Sequence, residues 1–189
     1  VAGGRLIATR ASAMAPEVVN NSAVEFANSV SGTYAGNISG SGSLTKSGNG
    51  TMTLTGTNTY SGLTSVIQGR LNGNTDSLSG GISVGGGGTV GFDQTSSGTF
   101  SGPLSGAGSF SKTGAGDLTL SGANTNSGAW SVSAGRLIGT SSSVRGDITN
   151  SAEVIFDQST SGTYSGNMSG NGSFTKAGAG AVTLAGDNS

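Results

Sequence analysis

One phrase constrains this chain more than anything else in it, because it is written twice in full and then begun again. "GSLTKSGNGTMTLTGTNTYSG" at Gly42 to Gly62 returns as "GSFSKTGAGDLTLSGANTNSG" at Gly108 to Gly128, and "GSFTKAGAGAVTLAGDNS" starts at Gly172. Other landmarks keep the same step of about 65 residues. "GRL" stands at Gly4, Gly69 and Gly135, "SGTY" or "SGTF" at Ser31, Ser97 and Ser161, a lysine at 46, 112 and 176, and a phenylalanine at 26, 92 and 156. Self-similarity at a fixed period marks a structural unit that is stacked rather than a globule folded once.

Inside each unit the pattern alternates. Met52 and Leu54 fall on one side of "TMTLT" and the threonines on the other; Leu118 and Leu120 do the same in "DLTLS", and Val182 and Leu184 in "AVTLA". Further short strands are predicted at "EFA", "VGFD", "SGTY", "SGTF", "GSFSK" and "WSVSAGRLI", bounded by Gly, Asn, Ser and Asp. Helices are not expected, since glycine in a helix interior costs about 1 kcal/mol and the chain has 37 glycines. The one candidate, Ala8 to Glu17, contains Pro16.

Strands this short bury little alone. Coiled so that each pairs with its equivalent about 4.8 Å away, they enclose a thin continuous core. The expected fold is therefore all-β, a parallel β-solenoid (β-helix) with about three coils per 65-residue repeat. Eight or nine coils would stand about 40 Å tall. The whole chain, 1–189, reads as one solenoid fragment with repeat units near 1–67, 68–133 and 134–189, the last truncated.

Composition removes several alternatives. Eight Lys and Arg against nine Asp and Glu give a net charge of −1. That is too few charges for a typical disordered chain and offers no basic run for nucleic acid. No stretch of about twenty apolar residues is present, and "VAGGRLIATR" lacks the features of a signal peptide. The absence of cysteine removes disulfides and thiolate metal sites.

Catalytic motifs fare no better. Gly81 to Gly85 matches G-x-S-x-G, yet no histidine exists to activate Ser83. Gly86 to Gly91 matches G-x-G-x-x-G without a helix to follow. Asp93 and Asp157 recur in "FDQ", and three stacked coils would hold them about 14 Å apart. Catalytic carboxyl pairs need roughly 5 to 9.5 Å. Lys46, Lys112 and Lys176 at the same spacing are expected as isolated surface charges. The alternating Thr51 to Thr59 suggests an ice-binding rank, which Asp117, Ser121, Ala181 and Ala185 interrupt in the other copies. Aromatic residues, Trp130 included, are expected in the core or at corners, with Tyr34, Tyr60 and Tyr164 as a candidate exposed platform for sugar stacking. No catalytic, cofactor or metal residue is assigned, and the chain reads as a non-enzyme.

Arg145, Gly146 and Asp147 form an Arg-Gly-Asp tripeptide aligned with "SGGI" at Ser79 and "APEV" at Ala15, so a turn entering a strand is expected there. An exposed turn of this kind would make an integrin-type adhesion site.

Read from Gly40 to Leu71 and again from Gly106 to Leu137, the phrase closely resembles the passenger-associated transport repeat of autotransporters in Gram-negative bacteria. The landmarks are the Gly-Ser-Leu/Phe-x-Lys start, the "GxGxxTL" strand entry, the "GxNTxSG" corner and the closing "xGRL". Asn126 departs from the tyrosine at Tyr60. The resemblance implies a right-handed β-helix, exported through periplasm and outer membrane by type V secretion to the cell surface or beyond. A C-terminal membrane β-barrel outside these residues would anchor it. It further implies a stalk or adhesin segment whose partners are a host-cell receptor, a glycan or another passenger. A secreted carbohydrate-active enzyme with its catalytic residues elsewhere is the alternative, and an ice-binding or other unrelated solenoid the third. Coils that fold one upon the next outside the cell would make export directional.

Overall fold

All 189 residues are described by the structure, a computed structural model. Every strand ladder in it is parallel, and each strand pairs with a segment roughly one coil further along. The coil has three sides. On the first, Leu6, Val24, Leu44, Thr64, Ile82 and Leu104 lie in register. On the second, Met52, Leu71, Val90, Phe110, Trp130, Ile148 and Met168 do so. The third stacks Gly98, Leu118, Leu137, Val154 and Phe174, with Val18 and Ile38 paired lower down. Together they make a β-solenoid of about nine turns.

The alternation read from the sequence decides which side chains point inward. Thr51–Leu54, Leu118–Leu120 and Trp130–Val132 each bury their apolar positions and turn the intervening hydroxyls outward. The result is one core of 32 buried apolar residues running the length of the coil. Phe110 stacks on Trp130 with centroids 4.9 Å apart, and the Phe92 ring lies 6.1 Å from Trp130. Each repeat also pairs its phenylalanine with the aromatic eight residues on: Phe26 with Tyr34, Phe92 with Phe100, Phe156 with Tyr164. The helix candidate shrinks to a single 3-10 turn, Ala11–Ala13, ending before Pro16.

Coil length is where the structure refines the sequence. The step between paired residues is 20 from Val24 to Leu44, falls to 17 from Leu137 to Val154 and rises to 22 from Ile82 to Leu104. With a mean near 20, a repeat of 65 or 66 residues spans about three and a third coils. The extra third moves each copy of the phrase one side around the solenoid. Lys46 pairs with Val66 on the first side, Lys112 with Val132 on the second and Lys176 with Phe156 on the third. Sequence-equivalent residues, expected one above another, face three directions.

Candidate functional site

The corners carry the polar groups, and two of the three lysines there, Lys46 and Lys112, are not the surface charges expected of them. Lys46 and Lys112 are completely buried. The Lys112 Nζ donates to the carbonyls of Thr113 at 2.8 Å and Gly114 at 2.7 Å in its own coil, and of Ala134 at 2.9 Å in the next. Lys46 repeats the arrangement with Gly48 and Gln68. Burial pushes both ammonium groups' pKa down, with Asp117 and then Asp93 pulling back at Lys112. Lys176, in the last coil, donates only to Ala177 and Gly178 and is exposed. The glycine of "GRL" belongs to this same corner. Gly135 has φ +64°, and a Cβ on it would stand 2.8 Å from Lys112 Nζ, so lysine and glycine, 23 residues apart, are one contact across adjacent coils.

Asparagine bridges coils where backbone pairing lapses. Asn124 is buried; its Oδ1 accepts from the Leu104 N–H at 2.8 Å and its Nδ2 donates to Ser143 O at 2.6 Å. Asn58 joins Ile38 to Ser77 identically. The side-chain amide stands in for a peptide unit, which is why "GxNT" recurs.

The Arg-Gly-Asp tripeptide is a corner, as its alignment predicted. Arg145 and Asp147 are exposed, and Gly146 takes φ +80°. All three carbonyls are engaged: Arg145 O accepts from Asn126 Nδ2 at 3.3 Å, Gly146 O from Tyr164 Oη at 2.5 Å, and Asp147 O from the Trp130 N–H at 2.7 Å. The Asp147 Oδ1 accepts from the Asn167 N–H of the next coil at 2.8 Å. Burial, with Asp147 adding to it, raises the Tyr164 phenol's pKa. The backbone of the tripeptide is thus tied to the coils below and above it, with the Arg145 and Asp147 side chains exposed.

Around this corner is a cavity of about 320 Å³, lined chiefly by Thr125, Asn126, Ser127, Arg145, Asp147 and Thr163. The equivalent corner of the preceding repeat, with Ser79, Gly80 and Thr99, encloses about 230 Å³. Both sit beside a tight turn supported by a glutamine: Gln94 Oε1 accepts from the Thr75 N–H and Gln158 Oε1 from the Ser141 N–H, each at 2.8 Å. These glutamines come from "FDQ", so that motif builds a corner.

The remaining candidates are dispersed. Asp93 lies on the second side and Asp157 on the third, so they are not stacked as expected. No three acidic side chains gather in a metal-holding group. Ser83 and the run Gly86 to Gly91 lie in the strand Ile82–Asp93, with no strand-to-helix turn at either. Thr53 is flanked in register by Thr33 and Asn72, followed by Gly91, which breaks the threonine rank within one coil. Tyr34, Tyr60 and Tyr164 are buried and unavailable as a sugar platform; Tyr60 Oη lies 2.7 Å from Thr64 Oγ1. The aromatic core expectation holds for Trp130, Phe26, Phe92, Phe110 and Phe156.

A family model described as passenger-associated-transport-repeat matches residues 44–72, 110–138 and 174–189. The chain carries passenger-associated-transport-repeats. Each match opens just inside the Gly-Ser-Leu/Phe-x-Lys start, and the two full ones close just past "GRL". The matched segment 110–138 thus takes in Lys112, Asn124 and Gly135. Comparison with curated proteins and with solved structures finds no match.

Proposed function

We propose that this solenoid is a stalk segment of an autotransporter passenger, displayed on a bacterial surface or secreted, that extends and presents adhesive surface. The observation supporting it is the uninterrupted parallel stack of about nine coils whose repeats match the passenger-associated-transport-repeat. Such a stack adds length without changing cross-section. Its polar contacts are spent on joining coil to coil, and the acids stand scattered on different sides, which favours a scaffold over an enzyme.

Surface display tests this. An epitope inserted after the exposed Ser142 should be labelled on intact cells making the natural full-length protein. Deleting 68–133 should shorten the stalk by about 16 Å at 4.8 Å per coil while leaving it displayed. Protein that is made and folded, yet has the epitope neither accessible on intact cells nor released into the medium, would defeat the reading.

A further inference from the structure

We propose that the corner around Arg145 is a binding groove for an acidic saccharide, with Arg145 reading a sugar carboxylate and the surrounding side chains reading ring hydroxyls. Internal repetition supplies the argument, because the same corner exists in the preceding repeat without these features. Tyr60 there becomes Asn126 here, Ser79 becomes Arg145, and Gly81 becomes Asp147. Tyr60 is fully buried at its corner with its hydroxyl on Thr64, whereas Asn126 and Trp130 hold those two places here, and the cavities at the two corners measure about 230 and 320 Å³ respectively.

The groove also holds unfinished polar chemistry. Asn126 is 2% exposed, lines the cavity, and its Oδ1 has no hydrogen-bond partner. A buried acceptor left without a donor is uncommon in a folded protein. Arg145 is exposed, and neither of the chain's two ion pairs involves it. Its guanidinium is free for the planar, two-point contact that suits a carboxylate. Asp147 uses Oδ1 on Asn167, leaving the other carboxylate oxygen to accept from a hydroxyl. Thr125 and Thr163 sit on the coils on either side of Arg145, so the groove crosses three coils, about 10 Å. Only two of its twelve lining residues are hydrophobic, and Tyr164 is buried with its hydroxyl committed to Gly146. Recognition therefore rests on hydrogen bonds and one cation, the pattern for a uronate rather than an apolar ligand. A protein receptor of the integrin kind would need the tripeptide to project, whereas its carbonyls and one carboxylate oxygen are tied to neighbouring coils.

This deepens the presentation reading by giving the stalk a ligand class, and binding to the purified chain is measured independently of surface display. The probe is tetragalacturonate, titrated to low millimolar concentration by calorimetry and by NMR of the arginine Nε–H groups. Saturable binding is expected, weakening as salt rises, and at least tenfold weaker for the fully methyl-esterified tetramer. Arg145→Ser and Asn126→Tyr install the residues that the preceding repeat already carries at these places. Arg145→Ser should keep the parent's melting temperature and lose at least tenfold in affinity; Asn126→Tyr, which must pack against Trp130 where the preceding repeat has Thr64, should lower the melting temperature and lose at least tenfold in affinity. No saturable binding by the parent, equal binding of the ester, or unchanged affinity in both variants would overturn the proposal. So would tight capture of a purified integrin ectodomain that Asp147→Glu abolishes, without any tetragalacturonate binding.

Discussion

Replacing Lys112 with methionine separates a structural ammonium from a solubilising one. The side chain is completely buried, and methionine fills nearly the same volume without the charge. Thr113 O also accepts the Gln94 N–H, so it keeps a partner. Gly114 O and Ala134 O receive only Lys112 Nζ and would be left bare. An unsatisfied buried acceptor costs about 1 to 3 kcal/mol. Both residues are half-buried, which places each near the lower end, and relief from desolvating the ammonium offsets a further part. The net expectation for Lys112→Met is a loss of about 2 kcal/mol, or about 4 to 8 °C in Tm for a chain of this length. Within the 189-residue chain taken by itself, Lys176→Met is the internal control, because that lysine occupies the same place in the motif while no residue of this chain stands one coil beyond it to supply the third carbonyl. It should cost less than about 0.5 kcal/mol. Since a stacked array need not unfold in one step, chemical denaturation should be joined by hydrogen exchange, with amides of residues 133–137 exchanging faster in Lys112→Met. If the two substitutions cost the same small amount, the three-carbonyl cap is not holding the coils together and the reasoning fails.

Other side chains give further checks. Asn124→Leu should cost about 2 to 4 kcal/mol in urea denaturation, because it strands the Leu104 N–H and the Ser143 carbonyl in the interior. Trp130→Phe should cost only about 1 kcal/mol, since the indole Nε1 has no partner to lose, whereas Trp130→Ala should cost about 3 to 5 by circular dichroism. Asp117 is held below the usual carboxylate range, first by its hydrogen bond from Arg136, which reaches it at 2.6 and 2.8 Å. A depressed folded pKa stabilises above the unfolded value of about 3.9 and ceases to as pH falls through the folded one. The parent's advantage in Tm over Asp117→Asn should therefore be present at neutral pH and vanish as the pH drops below about 4.

How much of this was legible depended on the reach of each contact. Alternation in "TMTLT" and "DLTLS" gave the strands and their inward residues, because a period of two needs only nearest neighbours along the chain. Trp130 and the recurrent phenylalanines were placed correctly for the same reason. Lys46 and Lys112 were misread. A single charged residue in a Gly/Ser segment looks solvated, and its ammonium's last partner, Ala134, lies 22 residues away. The available signal was the fixed interval from Lys46 to Gly69 and from Lys112 to Gly135, 23 residues in both copies. The groove at Arg145 was seen only as a tripeptide, since Asn126 and Thr163 reach it from neighbouring coils.

Coil length was the least legible property, and it determines how the repeats relate to one another. Corners of Gly, Ser and Asn lengthen or shorten without disturbing the strands, so the coil varies from 17 to 22 residues while the repeat holds at 65 or 66. Engineered cysteines can measure it, because the chain has none of its own. Thr45 and Ser65 are register partners, about 4.8 Å apart as neighbouring strands, within disulfide reach. Ile67, one 22-residue coil after Thr45, lies two positions further along the strand, roughly 8 Å away and beyond reach. A Thr45→Cys, Ser65→Cys chain should oxidise fully and a Thr45→Cys, Ile67→Cys chain should not; the reverse would put the repeats back in vertical register. With the shorter coil, each repeat turns its corner to a new side. Contacts within one coil's reach, such as Lys112 with Ala134 and Gly135, are then reproduced wherever the repeat falls. The outward residues are under no such constraint, which is how one corner can hold Ser79 and the next Arg145 on the same scaffold.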